Sequence, residues 1–175
     1  MADTTEKTPQ EQHNDIIVDS DVSFKIDPTT RAVTGDQKKI SLMQYDHNSE
    51  RFSFSVPRFI EGHDMTNCTI RIHYCNIDAQ TRARFNGLYE VTDAGVDPEY
   101  AEKPEGEQQI KFSWLISQNA TQHAGTLNFL IEFTCLTIDE NGESEVYYRW
   151  NTNINKEISI TIGMNNNDSI DESYA

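Results

Sequence analysis

No stretch of this chain approaches the roughly 18 consecutive apolar residues of a membrane-spanning helix. The opening MADTTEKTPQEQHND holds no apolar core of a secretory signal, so a protein made and folded in the cytoplasm is expected. Cysteine is scarce, with only Cys68, Cys75 and Cys135. The first two bracket the strand-like TIRIHY and would lie about 23 Å apart in an extended chain, too far to pair, and a disulfide framework is not expected. Basic residues are also few: 14 Lys and Arg stand against 29 Asp and Glu, a net charge of −15. That charge repels phosphate backbones and anionic bilayers, which argues against nucleic-acid and membrane partners. Apolar residues make up 36% of the chain, enough for one core if the ends and one loop stay outside it.

Motifs that carry chemistry are missing as well. Zinc sites use paired Cys or His at short spacing, and here only His63, Cys68, His73 and Cys75 fall near one another. A polar His on a wet strand face and Cys as a small hydrophobe explain them better. The acidic DENGESE puts its glycine fourth from Asp139, where a calcium loop needs it sixth, and an Asn141-Gly142 hairpin accounts for the composition. There is no nucleophile elbow, no S-x-x-K and no phosphate-binding glycine loop. Nothing selects two carboxylates as an acid–base pair. No catalytic, cofactor-binding, metal or interaction residue is assigned, and neither enzyme activity nor a cofactor is expected.

What the chain does have is alternation. Val22, Phe24 and Ile26 share a face, then Phe52, Phe54 and Val56, then Ile70, Ile72 and Tyr74. The clearest pair lies in Ile110–Thr134. There Ile110, Phe112 and Trp114 alternate with polar residues, SQNATQH makes a polar crossing with one helical turn, and Gly125 leads into Leu127, Phe129, Ile131 and Phe133. Asn86-Gly87 reads as a hairpin turn. Val146, Tyr148 and Trp150 share another face, and Ile158, Ile160 and Ile162 a last one. Short strands at intervals of about 10–15 residues predict an all-β fold, an antiparallel β-sandwich of immunoglobulin-like or jelly-roll order. No internal repeat is apparent.

The expected organisation is a disordered arm over 1–14, one sandwich domain over 15–163 beginning with the strand IIVD, and a disordered acidic tail over 164–175. Within the domain, 93–109 reads as a long acidic loop, mobile or a contact surface. Trp114, Tyr148 and Trp150 are expected in the core. Tyr147, beside outward Arg149, is left as the surface aromatic, and Tyr100 in the acidic loop is a second one.

Four stretches carry a resemblance: FKIDPTTRAVT, SERFSFSVPRFIEGHDMTNCTIRIHY, IKFSWLISQNATQHAGTLNFLIEF and YRWNT. In order and spacing they resemble the N-terminal domain of phage baseplate upper proteins and related tail proteins from phages and prophages of Gram-positive gut bacteria. The match spans roughly residues 22–163. It implies a non-catalytic β module of the virion, of baseplate or tail-tip type, concerned with host attachment. Its implied partners are other virion proteins of tail, baseplate or capsid, and a homo-oligomer is expected. Members often continue into a coiled coil and receptor-binding region, which this sequence lacks, so an adaptor or decoration role is expected. The alternatives are a carbohydrate-binding module taking a cell-wall glycan on Tyr147 or Tyr100, and a capsid-surface decoration protein of head-fibre type.

Overall fold

The computed structural model describes residues 22–36 and 40–163. The expected arm, the strand at IIVD and the acidic tail lie outside the described residues. In chain order the strands are β1 (Val22–Ile26), β2 (Val33–Gly35), β3 (Ile40–Met43), β4 (Arg51–Pro57), β5 (Phe59–Ile60), β6 (His63–Asp64) and β7 (Cys68–Asp78). There follow β8 (Arg84–Glu90), β9 (Gly95–Val96), β10 (Gln109–Leu115), β11 (Gly125–Ile138), β12 (Ser144–Asn151) and β13 (Asn155–Thr161). A single α-helical turn, α1 (Gln118–Thr121), carries the chain from β10 to β11.

The fold is an all-β sandwich. One sheet runs β2-β1-β4-β10-β9 and the other β3-β13-β11-β7-β8, with β12 also paired to β11. β5 and β6 form a small hairpin of their own. The long β11 explains the second sheet: β7 pairs along one side from Gly125 to Cys135, while β13 and then β12 share the other side in tandem. Most pairs are antiparallel, but β1 runs parallel to β4 and β3 parallel to β13. Those two parallel pairs require crossings between sheets, which alternation cannot reveal because either direction buries the same residues.

The alternating faces meet in one aromatic core. Phe54 stacks on Phe112 with centroids 5.2 Å apart, and both turn toward β11, where Phe129 and Phe133 meet them edge-on. Trp114 lies 5.5 Å from Tyr74 and 5.4 Å from Phe129, so one side chain ties β10 to β7 and β11. Trp114 and Trp150 are both fully buried, as expected. Burying so many large rings on both inner faces is the main stabilising term of the fold.

Four expectations change. Asn86-Gly87 is not a turn but the middle of β8; a Cβ on Gly87 would lie 2.1 Å from the Tyr74 ring, so glycine is there for a close approach. Val146 and Ile162 are exposed rather than core. Ile162 lies past the end of β13, and the register of β12 breaks between Cys135 and Leu136, leaving Tyr147 as the extra residue of a bulge. Cys68 and Cys135 stand opposite each other in the β7–β11 register with Cα atoms 4.2 Å apart, and are joined by a disulfide. Short-range spacing excluded only the Cys68–Cys75 pair; a partner 67 residues away is set by register. Finally, 93–109 holds β9 and two 3₁₀ turns, Pro98–Tyr100 and Glu105–Glu107.

Candidate interaction surfaces

Two hairpins close with the same turn. The β1–β2 connection reads Asp27-Pro-Thr-Thr-Arg31-Ala32, and the β7–β8 connection Asp78-Ala-Gln-Thr-Arg82-Ala83, each preceded by Ile. In both, the Asp Oδ1 accepts from the backbone N–H groups two and three residues on: 2.7 and 3.0 Å for Asp27, 2.8 and 3.0 Å for Asp78. In both, the Asp N–H donates to the Ala carbonyl and the Arg N–H donates back to the Asp carbonyl. These backbone donors hold both carboxyls below the ordinary aspartate range. The arginine of each turn is left-handed, φ 66° at Arg31 and 63° at Arg82. A short repeat is therefore present after all, six residues long and 51 residues apart, too small to register as a domain-scale period.

The two arginines go to different places. Arg31 lies over the buried Trp150 ring at 5.1 Å and donates to the Asn151 carbonyl at 3.0 Å, locking the first turn onto the second sheet. Arg82 and its neighbour Arg84 are exposed, and neither guanidinium has an ion-pair or hydrogen-bond partner among the described residues. In a chain with 15 more acidic than basic side chains, two unpaired arginines on one rim are unusual.

A third arginine fixes the acidic loop. Arg58 donates to both carboxylate oxygens of Asp64, at 3.0 and 2.8 Å, and to Gln108 Oε1 at 2.8 Å. Gln108 in turn donates to the carbonyls of Lys103 and Ala101. The guanidinium holds the Asp64 carboxyl down at about 2, against some cost of burial. At the other end of the loop Asp93 accepts from both the N–H and the hydroxyl of Ser113. The loop is pinned at both ends; Glu105 lies 3.9 Å from Arg58, and Glu99, Glu102 and Glu107 are exposed.

The residues weighed for metal binding do not converge. Cys68 is bonded to Cys135, His63 stacks on Tyr148 at 3.7 Å, and His73 lies on the outer sheet face 3.2 Å from Glu132. Burial raises the Glu132 carboxyl, but hydrogen bonds from Thr134 and His73 outweigh it and leave it lowered. Among the described residues no group of three or more His, Cys, Asp or Glu is placed to hold a metal ion. The DENGESE segment is the β11–β12 turn, with Gly142 at φ 79° and Asp139 Oδ1 accepting from Asn141 and Glu143. Tyr148 is half-buried, and its hydroxyl donates to Glu61 at 3.1 Å; burial and that carboxylate push it up to about 12. Tyr147 is 51% exposed and Tyr100 half-buried, on separate elements.

Four exposed apolar side chains gather on the β11–β12 hairpin, Leu136, Ile138, Val146 and Tyr147, while Phe85 and Leu88 are exposed on opposite faces of β8. The β8 surface was missed at the level of sequence because Asn86-Gly87 resembled a turn. The paired I-D-x-x-T-R-A segments were the signal that placed the turn elsewhere.

No family model matches this chain, and no curated protein matches it. Among solved structures it is similar to the N-terminal domain of phage TP901-1 ORF48, with 10% identity and a TM-score of 0.38, covering 80% of this chain and 95% of that one. A likeness of that degree carries no functional weight. The fold defines the class, an all-β sandwich with an exposed apolar hairpin at β11–β12, and among the described residues no helix is long and apolar enough to cross a membrane.

Proposed function

We propose that this protein is a phage virion structural protein of baseplate or tail-tip type. It serves as an assembly adaptor or anchor in host attachment, acts through protein–protein contacts and performs no catalysis. The observation that carries the reading is the order and spacing of the four family-like stretches between Phe24 and Thr152. The exposed apolar residues of the β11–β12 hairpin supply a surface suited to a neighbouring subunit. The exposed carboxylates of the pinned 93–109 loop supply a polar, acidic one. Repetition around a tail or head makes interfaces of modest area effective.

The test is the protein content of purified particles, together with retention of tail and baseplate proteins by the full chain. Stoichiometric presence in the particle and specific retention are expected. Absence from particles with no retention rejects the reading, and recovery with heads rather than tails moves the protein to the capsid surface. A glycan-binding role has one observation in its favour, exposed Tyr147 with its ring 6.2 Å from that of His63. Titration with cell-wall polysaccharide while following tyrosine and tryptophan fluorescence checks it.

A further inference from the structure

Among the described residues strand β8 is an open edge, and its sequence complements itself. Seven consecutive residues pair with β7 without a bulge, from Arg84↔Ile77 to Glu90↔Arg71. The flanking bonds, Asp78 N–H to Ala83 O and Val91 N–H to Ile70 O, fix which backbone groups face inward. Phe85, Gly87 and Tyr89 bond to β7, so the N–H and C=O of Arg84, Asn86, Leu88 and Glu90 face outward. Among the described residues nothing pairs with them. Natural edges of this length are usually blunted by proline, lysine, a bulge or a covering loop. Among the described residues β8 has none of these, and its only charges, Arg84 and Glu90, stand at its two ends: its sequence is RFNGLYE, Phe85 is 40% exposed and Leu88 49%. The other long one-sided strand, β12, carries the Tyr147 bulge.

We infer that β8 is a self-association edge, pairing antiparallel with β8 of a second copy of this chain about a two-fold axis through Gly87. In that register Arg84 of each copy stands opposite Glu90 of the other, Asn86 opposite Leu88, and Phe85 opposite Tyr89. Residues at even positions meet even ones, so the outward backbone groups pair with outward groups, giving about eight main-chain hydrogen bonds. Cross-strand partners share a face, so Arg84 meets Glu90 directly, twice by symmetry. Glu90 already lies 3.5 Å from Arg71 within its own chain, whereas Arg84 has no acidic partner there. Glycine on the axis lets the two backbones approach, and the positive rim of Arg82 and Arg84 lessens repulsion between two strongly acidic chains. The second sheets of the two copies become one continuous sheet.

This interface rests on the reading of the protein as an assembly subunit. A chain that stays monomeric yet is retained by particles removes the interface and leaves that reading. A chain that dimerises through β8 but is absent from particles removes the reading and leaves the interface.

The test is sedimentation equilibrium of the full chain over a wide concentration range, with the surface variants Arg84→Glu and Glu90→Arg and their double. The parent is expected to form a reversible dimer. Each single variant places like charges opposite one another at both symmetric positions and weakens it about tenfold or more. The double variant restores the dimer, and an equimolar mixture of the two singles forms a heterodimer more readily than either forms a homodimer. Unchanged thermal melts of the variants exclude unfolding as the cause. Amide exchange at Asn86 and Leu88 slows with concentration, while Phe85 and Gly87, already bonded to β7, do not change. A monomer throughout, a dimer indifferent to both single variants, or a mixture without heterodimer overturns the inference.

Discussion

The β1–β2 and β7–β8 hairpins are closed by one turn, but the two turns serve opposite ends. Asp, Thr and left-handed Arg occupy the same places and make the same backbone bonds in each. The first turn spends its arginine inside the molecule, over Trp150 and on the Asn151 carbonyl. The second leaves Arg82 facing solvent beside an unpaired strand edge. A left-handed non-glycine residue carries a backbone cost of about 1–2 kcal/mol. At Arg31 that cost is offset in part by contacts of the side chain within the fold, whereas the Arg82 side chain makes no such contact among the described residues.

The strongest way to break the comparison is to remove what Arg31 covers. Trp150→Ala is expected to lose about 3–5 kcal/mol, measured by denaturant unfolding, because it empties a fully buried aromatic site. It should also erase most of the energetic difference between the two arginines in a double-mutant cycle. Next comes the β8 side: Gly87→Ala drives a methyl into the Tyr74 ring and is expected to lose about 1–3 kcal/mol, with β8 amides losing protection. An Ala variant as stable as the parent would mean that Tyr74 does not pack on that backbone.

A third arginine sets the scale for a paired one. Arg58 keeps the Asp64 carboxyl near 2 in the fold, below its unfolded value near 4. The stability this pair contributes is therefore fully present above pH 4 and is lost as pH falls from about 4 to 2, amounting to at most about 2 kcal/mol for a partly exposed group. Asp64→Asn should flatten that part of the acid limb in a pH series of urea titrations. A parent and variant with the same acid limb would contradict the assignment.

The smallest effects separate the two turns directly. Arg31→Gly relieves the left-handed strain but loses the ring contact and a charged hydrogen bond, for a net loss of about 1 kcal/mol. Arg82→Gly relieves the same strain and loses nothing within the chain, so it should stabilise by about 0.5–1 kcal/mol. Opposite signs in thermal melts sharpen the comparison; equal signs would abolish it.

Much of the core was legible because strand alternation is a local property. Phe52, Phe54, Val56, Phe112, Trp114, Phe129 and Phe133 are all buried as their period requires. SQNATQH does cross from one sheet to the other with one helical turn. What alternation could not supply is anything set by register between distant segments. The Cys68–Cys135 pair, the parallel β1–β4 and β3–β13 pairs and the Tyr147 bulge all depend on which strands become neighbours. Asn86-Gly87 misled for a different reason. The same two residues suit a tight turn or a strand that a ring must approach closely, and only the position of Tyr74 distinguishes them. The candidate surface at β8 was hidden behind that one ambiguity.

The central claim is that this sandwich is a virion assembly subunit whose β8 rim faces a neighbour. Cryo-electron microscopy of the particle tests it most directly. The account predicts density for the sandwich at the tail tip or baseplate, with Arg84, Leu88 and Glu90 covered by another subunit. A particle without this chain, or one in which β8 faces open solvent in every copy, would contradict it.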